Sequence, residues 1–163
     1  MTTANQIAVV TGGAGFIGSH LVDTLVAAGF KVRVVDTLAT GKVRNLETHL
    51  KSGAATLYEV DVRDRRNLVR IFGGTQVVFH LATHCVRLSL SEPWENHEVN
   101  STGTLNALLS SKECGVDRFV YCSSSEVYGN VINHHKDERL LLSEATPKTP
   151  ATVYGASKLA GEN

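Results

Sequence analysis

Tyr154 and Lys158 stand four residues apart in the run Tyr154-Gly155-Ala156-Ser157-Lys158. On a helix that spacing puts a phenol and an ammonium on one face. A nearby positive charge favours the phenolate, so Tyr154 is a candidate general base with Lys158 as its helper. Ser123, Ser124, Ser125 and Glu126 directly follow the apolar run RFVYC. In an open α/β sheet ligands bind beyond the carboxyl ends of strands. A hydroxyl there can hydrogen-bond a substrate alcohol while Tyr154 removes its proton. Each cluster also has a plain alternative: a surface Tyr–Lys pair, and a polar turn of self-capping serines.

Residues 11–18, TGGAGFIG, follow the apolar run IAVV and open a helical pattern. A helix N-terminus exposes unpaired N–H groups and partial positive charge, which suits a pyrophosphate. Gly12, Gly15 and Gly18 would let the backbone turn tightly, approach the phosphates and pack helix on strand. Their spacing, GxxGxxG, departs from the usual GxGxxG. Asp36 ends the next apolar run. An acid at that point accepts hydrogen bonds from both hydroxyls of an adenosine ribose and repels a 2′-phosphate. The expected cofactor is therefore NAD rather than NADP, with Lys42 and Arg44 as the opposing signal. The bland alternatives are a tight turn without a ligand and a solvated turn acid.

The elements that must position these residues follow from the apolar runs. Ile7–Val10, Val32–Val35, Thr56–Val60, Gln76–Leu81 and Arg118–Cys122 read as strands. Phe16, Leu21, Leu25 and Ala28 fall at helical spacing, with Gly29 as a stop. Arg65–Phe72 reads as a short helix, Trp94–Cys114 as a long one ended by Gly115, and Ala151–Asn163 as the start of another. Residues 129–150 read mostly as loop. Strands alternating with helices predict parallel βαβ units with right-handed crossovers, a Rossmann-type doubly wound α/β sheet. Such a sheet usually has a sixth strand, so residues 1–163 read as a dinucleotide-binding domain cut short before its substrate-binding region.

The 163 residues carry 16 Lys plus Arg against 16 Asp plus Glu. That balance gives no electrostatic case for nucleic acid or an anionic membrane, and no apolar run is long enough to span a bilayer. The 3 cysteines include no CxxC pair, which fits a reducing cytoplasm better than a disulfide framework or zinc site. His80 reads as a buried strand residue, and His134-His135 as loop polar residues. The spacing of these with His84 and His97 fits no metal-ligand pattern, so no metal is expected.

Together TGGAGFIG, Asp36, Asp61-Val62, His80-Leu81-Ala82, Asn100-Ser101-Thr102-Gly103-Thr104, SSSEVYG and YGASK resemble the NAD-dependent sugar-nucleotide epimerase/dehydratase branch of the extended short-chain dehydrogenase/reductases. The resemblance implies that Phe16 and Ile17 join the three glycines against the cofactor, and that Asp61 and Val62 sit against the adenine. It implies that Leu81, Ala82 and Thr83 line the dinucleotide path, with Asn100 a structural residue beside it. Ser124, four before Tyr128, takes the place of the family's catalytic Ser or Thr. Tyr154 and Lys158 become base and helper, with Lys158 also on the nicotinamide ribose. The implied chemistry starts by oxidising a nucleotide-sugar hydroxyl, usually at C4, to a transient ketone. Epimerisation, dehydration or decarboxylation can follow. Ser125-Glu126 looks like the UDP-glucuronate decarboxylases and GDP-mannose 4,6-dehydratases. Cys85-Val86-Arg87-Leu88-Ser89 with Pro93 resembles a stretch of hexuronate 4-epimerases, where Arg87 could hold a carboxylate or diphosphate. A surface loop arginine is the other reading of Arg87. On the breadth of that group a 4-epimerase on a UDP-hexose or UDP-hexuronate is expected first. The resemblance also implies a homodimer through a helix bundle that includes the last helix. A non-catalytic dinucleotide-binding module or regulator is the alternative from another class.

Overall fold

The computed structural model describes residues 6–129 and 141–163. Strands β1 (Ile7–Thr11), β2 (Lys31–Val35), β3 (Ala55–Tyr58), β4 (Val77–His80) and β5 (Arg118–Tyr121) form one sheet. All pairings are parallel and the order is β3-β2-β1-β4-β5. The order reverses between β1 and β4, so the crevice expected of a doubly wound sheet opens there. β1 is central, and Ala8, Val9 and Val10 are fully buried because both faces are covered.

Helix α1 (Phe16–Ala27) and α2 (Glu47–Lys51) lie on one face, α3 (Arg65–Phe72) and α6 (Gly103–Glu113) on the other. Val22 and Leu25 of α1 pack with Val10, Val32 and Val34. Leu68, Ile71 and Phe72 of α3 pack with Val9, Val35 and Val78. The inner face of α1 is Gly18, Ser19, Val22 and Leu25, not the stripe through Phe16 and Ala28 that apolar spacing suggested. Phe16 is 80% exposed. Gly29 does stop α1: its N–H reaches Val26 O and that of Phe30 reaches Leu25 O, with Gly29 at φ 90°. Gly115 ends α6 in the same way, through Lys112 O and Ser111 O.

The helix expected over Trp94–Cys114 begins at Pro93 and is not uniform. α5 (Pro93–His97) runs into a π turn (Glu98–Thr102) and then α6. Short helical turns that the apolar pattern did not mark occur at Val43–Leu46, at α4 (Leu88–Ser91) and at Ser125–Tyr128. The last helix, α7 (Val153–Glu162), is capped by Thr152, whose hydroxyl accepts the Gly155 N–H at 3.0 Å. The third strand stops at Tyr58 and the fifth at Tyr121, short of the expected ends. Residues 141–150 form no helix or strand, as expected. His134 and His135 lie outside the described residues. Among the described residues, no helix is long and apolar enough to cross a membrane.

Candidate active site

The carboxyl ends of the strands open into one cleft of about 450 Å³. Gly12, Gly15, Phe16, Ile17 and Gly18 line its floor. Gly12 sits at φ 70°, and a Cβ there would stand 2.8 Å from Ala82 N. A Cβ on Gly18 would collide with the Gly12 carbonyl oxygen. Both glycines are therefore required by the chain's own packing. Gly15 differs, because its Cβ would meet only Gly12 O, at 3.2 Å. Gly15 is also the N-cap of α1, with no capping side chain and no acid in the first turn. The first-turn amides thus keep their partial positive charge toward the cleft, a cradle of the size and sign for a diphosphate.

Asp36 stands on the cleft wall at the end of β2. Its Oδ2 accepts the Ala14 N–H at 2.9 Å and its Oδ1 that of Leu38 at 2.8 Å. The carboxylate is therefore held beside the glycine turn with lone pairs left for a diol. Thr37, Ala39, Thr40 and Gly41 continue the wall. Lys42 N–H and Asn45 Nδ2 both donate to Ala14 O, which straps this loop to the turn. Lys42 and Arg44 are exposed and line no part of the cleft. Asp61 and Val62, after the neighbouring strand β3, line the cleft as well. Diphosphate cradle, diol acceptor and apolar walls fit a dinucleotide such as NAD.

Leu81, Ala82 and Thr83 line the cleft after β4. Thr11 fixes their start: its Oγ1 accepts the N–H groups of Leu81 at 3.2 Å and Ala82 at 3.1 Å. The Thr11 proton is then the one shared with His80 Nδ1, at 2.8 Å. This leaves the proton of the neutral ring on Nε2, which donates to Thr104 Oγ1 at 3.0 Å. Thr104 in turn donates to Asn100 O at 2.7 Å. His80 is 1% exposed, and burial, with Lys158 adding repulsion, pushes its pKa down from 6.5 to about 3. Above pH 6.5 the ring is neutral in both folded and unfolded chains. As pH falls below 6.5 the unfolded chain takes up a proton that the folded chain refuses until about pH 3. Stability should therefore drop by about 2 kcal/mol between pH 7 and pH 5. Denaturant titrations at the two pH values check this; equal midpoints would contradict it.

Asn100, in the π turn, lies behind the cleft rather than on it. Its Oδ1 accepts from Thr83 Oγ1 at 2.9 Å and His84 N at 2.8 Å. Its Nδ2 donates to His84 O at 2.9 Å and Asn96 Oδ1 at 3.0 Å. Both ends of the amide are engaged within the protein, so Asn100 shapes the loop after β4 and offers a ligand little.

Tyr154, Lys158 and Ser123 close the cleft's far end. Gly155 explains how α7 gets there: a Cβ at that position would stand 2.6 Å from Glu126 O, so only a glycine lets the helix rest on the Ser125–Tyr128 turn. Lys158 is 3% exposed and its Nζ donates to Cys122 O at 2.9 Å. The ammonium lies 5.8 Å from the Tyr154 ring centroid and 5.1 Å from that of Tyr121. Burial lowers its pKa from 10.5 to about 8.

Ser123, not Ser124, is the serine on the cleft surface, and its hydroxyl donates to Glu162 Oε1. Ser124 flanks it, capping the next turn by accepting the Glu126 N–H at 3.2 Å. Ser125 is exposed, and Glu126 is half-buried in the same turn. Arg87 is exposed at the start of α4, off the cleft. His84 and Val99 line the cleft without having been marked in the sequence as binding residues. The HLAT run continuing into His84 was the available signal. Among the described residues no group of His, Cys, Asp and Glu forms a metal site.

Residues 8–163 match the NAD dependent epimerase/dehydratase family. The UDP-glucose 4-epimerase of Erwinia amylovora is 36% identical over 157 residues, covering 93% of this chain and 45% of that protein. Among solved structures, the UDP-glucose 4-epimerase of Thermotoga maritima with UDP-glucose superposes with TM-score 0.86 at 36% identity, covering 96% of this chain and 49% of the other. The dTDP-glucose 4,6-dehydratase of Streptomyces venezuelae with NAD bound gives 0.87 at 32% identity, with the same coverage, 96% and 49%. The chain thus spans about half the length of these relatives or less.

Proposed function

The chain belongs to the NAD dependent epimerase/dehydratase family, and from that premise we propose that the protein carrying it is a nucleotide-sugar 4-epimerase. Its substrate would be a UDP-hexose or UDP-hexuronate, passing through a transient 4-keto sugar. The observation that carries this reading is the meeting of Tyr154 and Lys158 with the glycine turn in a single cleft. The similar UDP-glucose 4-epimerases of Erwinia amylovora and Thermotoga maritima support the choice of sugar nucleotide. Residues 1–163 would serve as the NAD-binding Rossmann domain, with sugar recognition completed outside them.

In this reading the α1 amides hold the diphosphate and Asp36 the adenosine ribose. NAD bound there supplies the acceptance and return of a hydride. Lys158 favours the phenolate of Tyr154 through its charge, and that phenolate takes the proton of the sugar hydroxyl and becomes the neutral phenol. Ser124, or Ser123 beside it, orients that hydroxyl. Val60, Val62 and Val99 supply apolar wall to the same cleft and would exclude water from the bound dinucleotide. A homodimer fits the apolar residues left exposed on α6 and α7, Leu105, Leu108, Leu109 and Val153. The unpaired cysteines fit a reducing cytoplasm.

Glu126 favours a second reading. An acid in the turn beneath Tyr154 suits proton transfer in a 4,6-dehydratase, and the Streptomyces venezuelae dehydratase is as similar in fold as the epimerases. The test is chromatography with mass detection after incubating the protein with NAD and UDP-glucose, UDP-glucuronate, dTDP-glucose or GDP-mannose in turn. A new isomer of unchanged mass is expected. Loss of water or CO₂ moves the assignment to dehydratase or decarboxylase. NAD binding without any product favours a binding module.

A further inference from the structure

We infer that Tyr121 is a positioning residue, whose ring face takes the place of a counter-ion for Lys158 and keeps that ammonium charged beside Tyr154. The inference deepens the reading of Tyr154 and Lys158 as base and helper, and rests on it. Lys158 is 3% exposed. Among the described residues no carboxylate forms an ion pair with it. The one acid of α7, Glu162, is engaged by Ser123 and Lys148. The ammonium instead meets the Cys122 carbonyl at 2.9 Å and the face of the Tyr121 ring, 5.1 Å from its centroid. The Tyr154 ring is further off, at 5.8 Å. Three contacts hold the Tyr121 ring in this place. Its hydroxyl donates to Lys158 O at 3.3 Å. Gly161 lets α7 rest on it, since a Cβ there would stand 2.6 Å from the ring's Cζ and from the hydroxyl oxygen. His80, its register partner on β4, lies within 18° of parallel to it with centroids 6.0 Å apart.

A ring and a carboxylate would hold the ammonium with different consequences. A carboxylate beside Lys158 would stabilise it but cancel its charge toward Tyr154. A neutral ring attracts a cation through its quadrupole, within about 6 Å of the centroid, and adds no net charge. The positive charge then still acts on the Tyr154 phenolate. Burial keeps the other groups around the ammonium neutral. It pushes the Tyr121 phenol up to about 12 and, with Lys158 adding repulsion, the His80 ring down to about 3. Both are therefore uncharged near pH 8, where Lys158 itself titrates. The Cys122 thiol, after β5, is the remaining titratable group that acts on the ammonium besides Tyr154.

The experiment is an NMR pH titration of the chain with isotope-labelled lysine side chains, the Lys158 resonance being the one that Lys158→Met removes. In wild type its ε protons should lie upfield, from the ring current of Tyr121, and its midpoint should fall near pH 8. Tyr121→Phe keeps the ring face and should keep both. Tyr121→Leu should lose most of the upfield shift and lower the midpoint by about one pH unit, the worth of a partly desolvated cation–π contact. The same drop is expected in a Cys122→Ser background, which removes the neighbouring thiol. Turnover, with whichever nucleotide sugar the product screen identifies, should then fall roughly fivefold at pH 8 in Tyr121→Leu and hardly change at about pH 6. A purely packing role lowers the melting temperature of Tyr121→Leu and leaves the midpoint in place or raises it, which overturns the inference. A drop in Tyr121→Phe as large as in Tyr121→Leu overturns it too, because the hydroxyl and not the face would be responsible. Wild-type ε protons without the upfield shift also overturn it, and that observation needs no variant to fold. If no nucleotide sugar is turned over while the midpoint drops as expected, the epimerase reading fails and the hold of the ring on the ammonium stands.

Discussion

Replacing Tyr154 with Phe should cut turnover by about a hundredfold or more, the usual worth of a general base, and leave NAD affinity within about twofold. The case begins with Lys158. At 3% exposure with a pKa lowered to about 8, its ammonium is a burden on the fold. Below pH 8 both folded and unfolded chains carry the proton, and the folded state bears the whole penalty, about 3 kcal/mol. As pH rises from about 8 to 10.5 the folded chain sheds the proton first, and the penalty disappears. A leucine or methionine would fill that space without the cost. A buried charge held 5.8 Å from a phenol ring, in a cleft, is what a site that must stabilise phenolate needs. The Phe variant removes only the hydroxyl and leaves the packing of α7 on the Ser125–Tyr128 turn untouched. Steady-state kinetics with whichever nucleotide sugar the product screen turns over, paired with NAD titration, separates the two effects. Unchanged turnover in Tyr154→Phe would eliminate Tyr154 as the base. Lys158→Met should lose turnover too, yet gain stability.

Much of this site could be read before any coordinates, because its central signals are local. The glycine turn, the acid at the end of the second strand and the Tyr–Lys pair each depend on a few neighbouring residues and on strand ends that apolar runs mark well. The parallel sheet follows from the alternation of strands and helices, whereas the order β3-β2-β1-β4-β5 comes from the pairing of strands distant in sequence. What stayed hidden depends on distant partners. The strap of Lys42 and Asn45 onto Ala14, and the amide of Asn100 around His84, join residues that no periodicity connects. The π turn was invisible for the same reason, since Asn100 and Val99 fit an ordinary helical stripe. Phe16 carried two readings, a place on the helical stripe of α1 and a place against the cofactor; it is exposed and lines the cleft, so the spacing located the helix but not its inner face. The serines show the limit of counting: Ser123 and Ser124 are equally good by composition, and only the direction of the chain leaving β5 puts Ser123 on the cleft.

The three glycines of the turn should part company when each is changed to alanine. Gly18→Ala drives a methyl into the Gly12 carbonyl and the Gly13 Cα, both backbone, so α1 has to move off the strand. Overpacking of that kind costs about 1–3 kcal/mol, which for a domain of this size is a fall of roughly 3–10 °C in melting temperature. Gly12→Ala adds a φ of 70° to a contact 2.8 Å from Ala82 N and should be at least as damaging. Gly15→Ala meets one oxygen at 3.2 Å and has an extended N-cap conformation, φ −73° and ψ −179°, that alanine adopts readily. Its melting temperature should fall by no more than about 3 °C, the cost of an N-cap change. Its NAD affinity should nevertheless fall by about tenfold or more, because the methyl occupies the space in which a diphosphate approaches the α1 amides. Thermal denaturation and NAD titration of the three variants decide the matter. If Gly15→Ala binds NAD as well as wild type does, the turn is a packing device only, and the diphosphate must be held elsewhere in the cleft.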